Sequence, residues 1–167
     1  MSGERERKKM NQMLTARGWI FQQALCDIDV WADGDKLVYV STTIWPKLTI
    51  GILKEFLIRL QTFDGNHGIL QYRIDVTTQV KEFIKSRSHV PIVETFCVDE
   101  LTLDIVNYCL QPRFTLLANH DAYKYGKSAL PKLLHSDPIA RYYNWPIGSV
   151  IKIESEHMST LYRLVVP

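Results

Sequence analysis

Net charge is the first thing this sequence has little of: 20 Lys and Arg stand against 18 Asp and Glu, a formal +2. Such a weak field does not draw nucleic acid to a surface, so any DNA contact has to be local. Long apolar runs are missing too. None reaches the roughly 18 residues of a membrane span, and no membrane partner is expected. Cysteine is sparse: Cys26, Cys97 and Cys109 are odd in number and lack C-x-x-C spacing. That pattern gives no disulfide framework and, with apolar neighbours near each, reads as free buried thiols in a reducing compartment. The opening MSGERERKKM carries charge without a following apolar core, so it does not read as a secretory signal. No G-x-G-x-x-G, P-loop, internal repeat or low-complexity tract occurs, and His67, His89, His120 and His157 include no pair at H-x3-H spacing. No metal and no cofactor is expected.

What remains is an ordinary globular composition, with 46% hydrophobic residues and 167 positions in which to bury them. That suffices for one domain or two small ones without covalent staples. Residues 1–9 read as a charged, solvated helix start, followed by an amphipathic stretch at Met10, Met13 and Leu14 that Gly18 closes. Apolar runs on either side of Asp33-Gly34 predict an antiparallel hairpin. Pro46 is expected to open a helix with Ile50, Leu53, Phe56, Leu57 and Leu60 on its apolar face. Next come a strand at Ile69, Tyr72 and Ile74, and a short helix capped by Thr77 or Thr78, with Val80, Phe83 and Ile84 inward. Pro91 to Phe96 reads as a strand, Asp99-Glu100 as a turn, and Leu101, Leu103 and Ile105 as a further strand. Strand, helix, strand, helix, strand over residues 37–97 implies two right-handed crossovers and a mostly parallel sheet.

The character shifts at Gln111-Pro112, with Phe114 to Ala118 as linker or edge strand. From Leu130 to Ile153 the local rules agree closely. Asp137-Pro138 reads as an N-cap with proline at the first helical position, and Asn144-Trp145-Pro146-Ile147-Gly148 ends that helix. Ser149 to Ile153 reads as a strand, Glu154 to Met158 as a polar turn, and Leu161 to Val166 as a second strand. The organisation expected is a domain over 1–110, a linker over 111–127 and a small mixed α+β domain over 128–167.

The blocks LPKLL, SDPIARYY, PIGSVIKI and YRLV, in that order and spacing, resemble the C-terminal assembly domain of the fifth-largest common subunit of eukaryotic RNA polymerases, a domain shared with a small archaeal polymerase subunit. IVETFCVDELTLDIVNYCLQP is similar to the end of the eukaryotic subunit's N-terminal jaw domain. The resemblance implies an α+β or α/β protein: an endonuclease-like jaw with a mostly parallel sheet and flanking helices, plus a small mixed α+β assembly domain. It implies a non-catalytic subunit of a multisubunit DNA-dependent RNA polymerase, in contact with the largest subunit and other subunits, and not a homo-oligomer. Its jaw would lie beside downstream duplex DNA without reading sequence. Both parts together point to a eukaryote or a large DNA virus, hence a nucleus, or a viral factory and virion. Two departures, a shortened segment over His120 to Ala129 and an acidic turn at Glu154 to Met158 where the family is basic, fit a viral member.

Two sets of residues carry the expected contacts. Asp137, Pro138, Arg141, Tyr142, Tyr143, Trp145 and Arg163 form the expected polymerase interface. The plainer reading has the aromatics closing a small core under the stem of Arg141; the docking reading is favoured because so small a domain hardly buries them all. Thr77, Thr78, Gln79 and Lys81 form the expected DNA-proximal loop, where a helix start suits a phosphate oxygen, against simple helix capping.

Catalysis finds little support. An endonuclease needs an acidic residue, here Asp29, and an acidic-x-Lys triplet on a neighbouring strand, but the only such triplet is Glu6-Arg7-Lys8 in the charged tail. His135-Ser136-Asp137 holds hydrolytic residue types, but sequence neighbours rarely converge on one substrate. A degenerate endonuclease-like, DNA-binding or DNA-cleaving protein is the alternative.

Overall fold

A computed structural model describes residues 2–86, 91–102, 111–118, 126, 129–155 and 158–167. The chain divides into two units, Met1–Leu103 and Asp104–Pro167.

In the first unit, helix α1 (Ser2–Ala16) precedes strands β1 (Ile20–Leu25), β2 (Ile28–Asp33) and β3 (Lys36–Leu48). Helix α2 (Ile50–Thr62), strand β4 (His67–Val76), helix α3 (Thr78–Ser86), strand β5 (Ile92–Cys97) and helix α4 (Val98–Thr102) follow. The five strands lie in sequence order, β1 to β5. The β1–β2 and β2–β3 pairs are antiparallel, and β3–β4 and β4–β5 are parallel. The two crossovers expected over residues 37–97 are therefore present, and the hairpin ahead of them makes the whole sheet mixed. Gly34 takes φ +58° at the expected turn, where Asp33 faces Lys36.

The second helix does not begin at Pro46. Strand β3 runs through it to Leu48, with a register shift against β4 between Trp45 and Lys47. A proline offers no N–H to a ladder, so it sits where the pairing slips. Thr49 then caps α2, its side chain accepting from the Ile52 N–H at 3.5 Å. Asp99-Glu100 is not a turn, and Leu101 lies in a helix instead of opening a strand. Both acids occupy the first turn of α4, where they complement the helix dipole, and Val98 and Leu101, one turn apart, are buried. Leu103 and Ile105 lie outside the described residues.

Ile28, Val30, Tyr39, Leu53, Phe56, Leu60, Leu70 and Val80 form one core under α2 and α3. Gly68 shows how tight it is: a Cβ there would lie 2.5 Å from Phe56 Cε1 and 2.7 Å from Leu60 Cδ1. Both side chains are locked in the core, so Gly68→Ala is expected to cost about 1–3 kcal/mol, read as a lower urea midpoint at unchanged m.

Ion pairs tie α1 to the strands. Arg7 donates to both carboxylate oxygens of Asp29 on β2, at 3.0 and 2.7 Å, and Arg73 on β4 donates to Glu6 at 3.0 Å. The Arg73 hydrogen bond holds the Glu6 carboxyl below its usual range. The charged start is thus helical, as read, but Glu6 is buried instead of solvated. At the other end of α1, Arg17 donates to Glu94 on β5 at 2.9 and 2.8 Å, and His67 Nε2 lies 2.7 Å from the same carboxylate.

The second unit holds a four-stranded sheet in the order β6 (Arg113–Leu116), β8 (Val150–Ser155), β9 (Met158–Val166), β7 (Lys132–Leu134). Helix α5 (Pro138–Tyr143) packs on it. Phe114 belongs to an edge strand antiparallel to β8, and β7, which the sequence reading does not contain, runs parallel to β9. The β8 and β9 strands extend to Ser155 and back to Met158, so the polar turn is shorter than read. The α+β class is as expected.

Candidate functional site

The C-terminal candidates are built around α5. Asp137 Oδ1 accepts from the Ile139 N–H at 3.0 Å, and Pro138 fills the first helical position, as its fixed φ favours. The helix stops at Asn144, which takes the left-handed conformation at φ 51°. Trp145 then turns inward, its backbone N–H donating to the Ala140 carbonyl at 3.1 Å.

The seven residues named for the interface do not share one environment. Trp145 is only 5% exposed, within a core of Leu133, Ile139, Ala140, Ile151, Ile153 and Val165. Its ring stacks on Tyr143 at 5.0 Å and 11° and meets Phe114 at 6.0 Å. Burial pushes the Tyr143 phenol up. Tyr142 and Arg141 are half-buried, and Tyr142 meets Tyr143 edge-on at 5.1 Å. Pro138 and Arg163 are exposed, and Asp137 is half-buried in its cap. Arg163 lies on β9 opposite Ile151. The unit also exposes Leu116, Leu134, Ile147 and Leu161. These apolar positions escape the sequence reading, since an exposed leucine on a short strand has no sequence signature.

The second set sits at the carboxyl ends of the parallel strands. The Thr77 N–H donates to the Leu48 carbonyl at 3.0 Å, and its carbonyl accepts from the Lys81 N–H at 3.0 Å, which places Thr77 at the cap position of α3. Its hydroxyl is buried without a hydrogen-bond partner, so the side chain does not make the capping bond. Thr78, Gln79 and Lys81 are exposed. Lys81 Nζ donates to Asp75 Oδ1 at 3.3 Å, and Lys47 lies directly across the β3–β4 pairing from Asp75. The Val76 N–H and then Lys81 hold the Asp75 carboxyl below its usual range. Sequence reasoning misses Lys47 because it puts Pro46 at a helix start, when a strand places Lys47 beside this loop.

Asp29, the acid an endonuclease would need, is 3% exposed with both oxygens taken by Arg7. Glu6-Arg7-Lys8 lies on α1 and not on a strand. Among the described residues, no group of three or more His, Cys, Asp and Glu could hold a metal ion, and no helix is long and apolar enough to cross a membrane. His89, His120 and His157 lie outside the described residues.

Comparison with known proteins assigns the second unit. Residues 103–165 match the family described as RNA polymerase Rpb5, C-terminal domain. Across 141 residues the chain is 28% identical to the Dictyostelium discoideum protein named DNA-directed RNA polymerases I, II, and III subunit rpabc1, covering 77% of this chain and 72% of that one. It is 25% identical to the Arabidopsis thaliana DNA-directed RNA polymerase subunit 5-like protein 1, over 77% of this chain and 67% of the relative. Against the Caenorhabditis elegans RPABC1 subunit the identity is 27%, over 72% of this chain and 62% of the relative. Residues 103–165 thus match the Rpb5 C-terminal domain, and over 72–77% of its length the chain is similar to proteins named as the fifth or common subunit of eukaryotic RNA polymerases.

Proposed function

We propose that this chain is a structural subunit of a multisubunit DNA-dependent RNA polymerase, non-catalytic in itself. The observation that carries this reading is the match of residues 103–165 to the Rpb5 C-terminal domain, on a folded unit whose residues form a core and expose an apolar and basic surface. Residues 128–167 dock on the largest subunit. Tyr142, Arg141 and Arg163 supply the contact, with Leu161 two positions before Arg163 on the same face of β9, while Trp145 supports α5 from beneath. Tyr and Arg are favoured at such contacts because each buries much area around a polar tip. Residues 1–110 act as a jaw near downstream DNA, and Arg113–Leu116, which pairs as β6 with β8, belongs with the docking unit. Thr78, Gln79, Lys81 and Lys47 meet phosphates there without reading bases, with Thr77 set back from them, its hydroxyl buried and its N–H given to Leu48. The Lys81–Asp75 pair is exposed and worth little, so a phosphate can displace it. The nucleus, or a viral factory if the chain is viral, is the place of action.

Co-purification tests the docking. The tagged full chain is expected to retain the largest polymerase subunit in stoichiometric amount, and removal of residues 128–167 to abolish it. Arg163→Glu, on an exposed strand position, is expected to cut recovery at least about tenfold while circular dichroism stays unchanged. Full recovery with the truncated chain, or metal-dependent DNA cutting by the isolated protein, sinks the reading.

A further inference from the structure

A carboxylate sits among the lysines at the carboxyl ends of the parallel strands. Leu48 and Val76 are paired across β3 and β4, and both are buried. One position earlier on each strand, Lys47 and Asp75 are paired in the same way, so they turn to the other face, where both are exposed. Their two strands lie about 5 Å apart. From the first turn of α3, Lys81 extends its Nζ to within 3.3 Å of Asp75 Oδ1, with both side chains more than half exposed. Asp75 thus has one lysine beside it on β3 and a second on α3.

The fold does not account for this carboxylate. Leu48, Val76 and Val80 anchor both strands and α3 in the core, and an exposed Lys–Asp pair adds little to that. The bond that the Val76 N–H donates to Asp75 is one that an asparagine accepts equally well. A carboxylate held by a backbone N–H and an ammonium is, however, placed as a phosphate oxygen would be.

We propose that Asp75 is a built-in competitor for DNA phosphate: it occupies the lysines of the loop and repels the phosphate that displaces it, so that the jaw touches the duplex without gripping it. The inference rests on the jaw reading given above and adds to it a residue that opposes the contact. A lysine gains affinity for DNA largely through the counterions it releases when it neutralises a phosphate. With Asp75 beside them, Lys47 and Lys81 neutralise less phosphate charge and release fewer ions. The contact is then weak and little dependent on salt, which suits a duplex that has to travel past it.

The test uses the full chain and a labelled duplex of roughly 20 base pairs of arbitrary sequence, followed by fluorescence anisotropy over a salt series starting at about 50 mM. Asp75→Asn is expected to bind about three- to tenfold tighter at the lowest salt, with a log–log salt slope steeper by about one. Lys81→Met added to Asp75→Asn is expected to remove that gain. Asp35→Asn makes the same change in net charge at an exposed position at the far end of β3 from Lys47, and is expected to alter binding less than about twofold. Equal affinity of Asp75→Asn and the wild type overturns the proposal, as does an equal gain from Asp35→Asn. If Lys47→Met with Lys81→Met weakens binding in either of those cases, the jaw reading survives without the competitor. Absence of binding by the wild type and Asp75→Asn alike at the lowest salt overturns both.

Discussion

Arg17→Ala is expected to destabilise the N-terminal unit by about 3–5 kcal/mol, the scale seen when one partner of a buried ion pair is removed. The Arg17 side chain is 3% exposed and the Glu94 side chain 17%, so water does little to screen either charge. Arg17 also lies 5.5 Å over the Phe96 ring. Burial pushes the Glu94 carboxyl up, but the Arg17 charge, the His67 hydrogen bond and the Arg17 hydrogen bonds outweigh it and hold the group at about 2, against 4.5 for a free glutamate. Without Arg17, burial is opposed by His67 alone. Because the folded value is the lower one, Glu94 contributes stability above about pH 4.5, and that contribution is lost as pH falls toward 2. The wild-type denaturation midpoint should therefore drop across that window. In Arg17→Ala the drop should be much smaller, so the two proteins converge near pH 2. Parallel curves would mean that Arg17 acts through packing alone. Arg17→Met combined with Glu94→Leu is expected to recover much of the loss, as apolar groups of similar volume often replace a buried pair at little cost.

Trp145→Ala is expected to unfold the C-terminal unit while the N-terminal unit keeps its protection. Removing a buried Trp costs about 3–5 kcal/mol, and a unit this small holds little stability beyond that. The loss is compounded because Tyr143 and Phe114 both pack on the indole. Amide exchange by mass spectrometry on the full chain separates the units: peptides over residues 130–166 should exchange like unfolded chain, and those over β3 and β4 should not. Trp145→Phe should restore most of the protection. Polymerase recovery should fail for Trp145→Ala for a different reason than for Arg163→Glu, and exchange tells the two apart.

That contrast shows where sequence reading stops. Asp137-Pro138 and Asp33-Gly34 are legible because capping and tight turns are written in the residues that make them. The crossovers over residues 37–97 are legible because two helical periods separate three apolar runs. Trp145 is not, since Tyr, Trp and Arg mark a small core and a docking surface with the same letters, and only burial separates them. Pro46 misleads because proline serves equally at a helix start and at a slip in strand pairing. Strand β7 is three residues long, too short for any period to emerge, and depends on β9 for its existence. Glu6 and Arg7 read as solvated because Arg73 and Asp29 lie 67 and 22 residues away.

Those separations also set an order of events on the ribosome. The helix α1 is made first, and Asp29 follows Arg7 after 22 residues, but Glu94 appears 77 residues after Arg17. At about 5–20 residues per second, the C-terminal end of α1 waits roughly 4 to 15 s for its carboxylate. During that interval Met10, Met13 and Leu14 have no finished sheet to cover. The nascent chain thus carries an amphipathic helix whose terminal arginine has no Glu94 to pair with until β5 emerges.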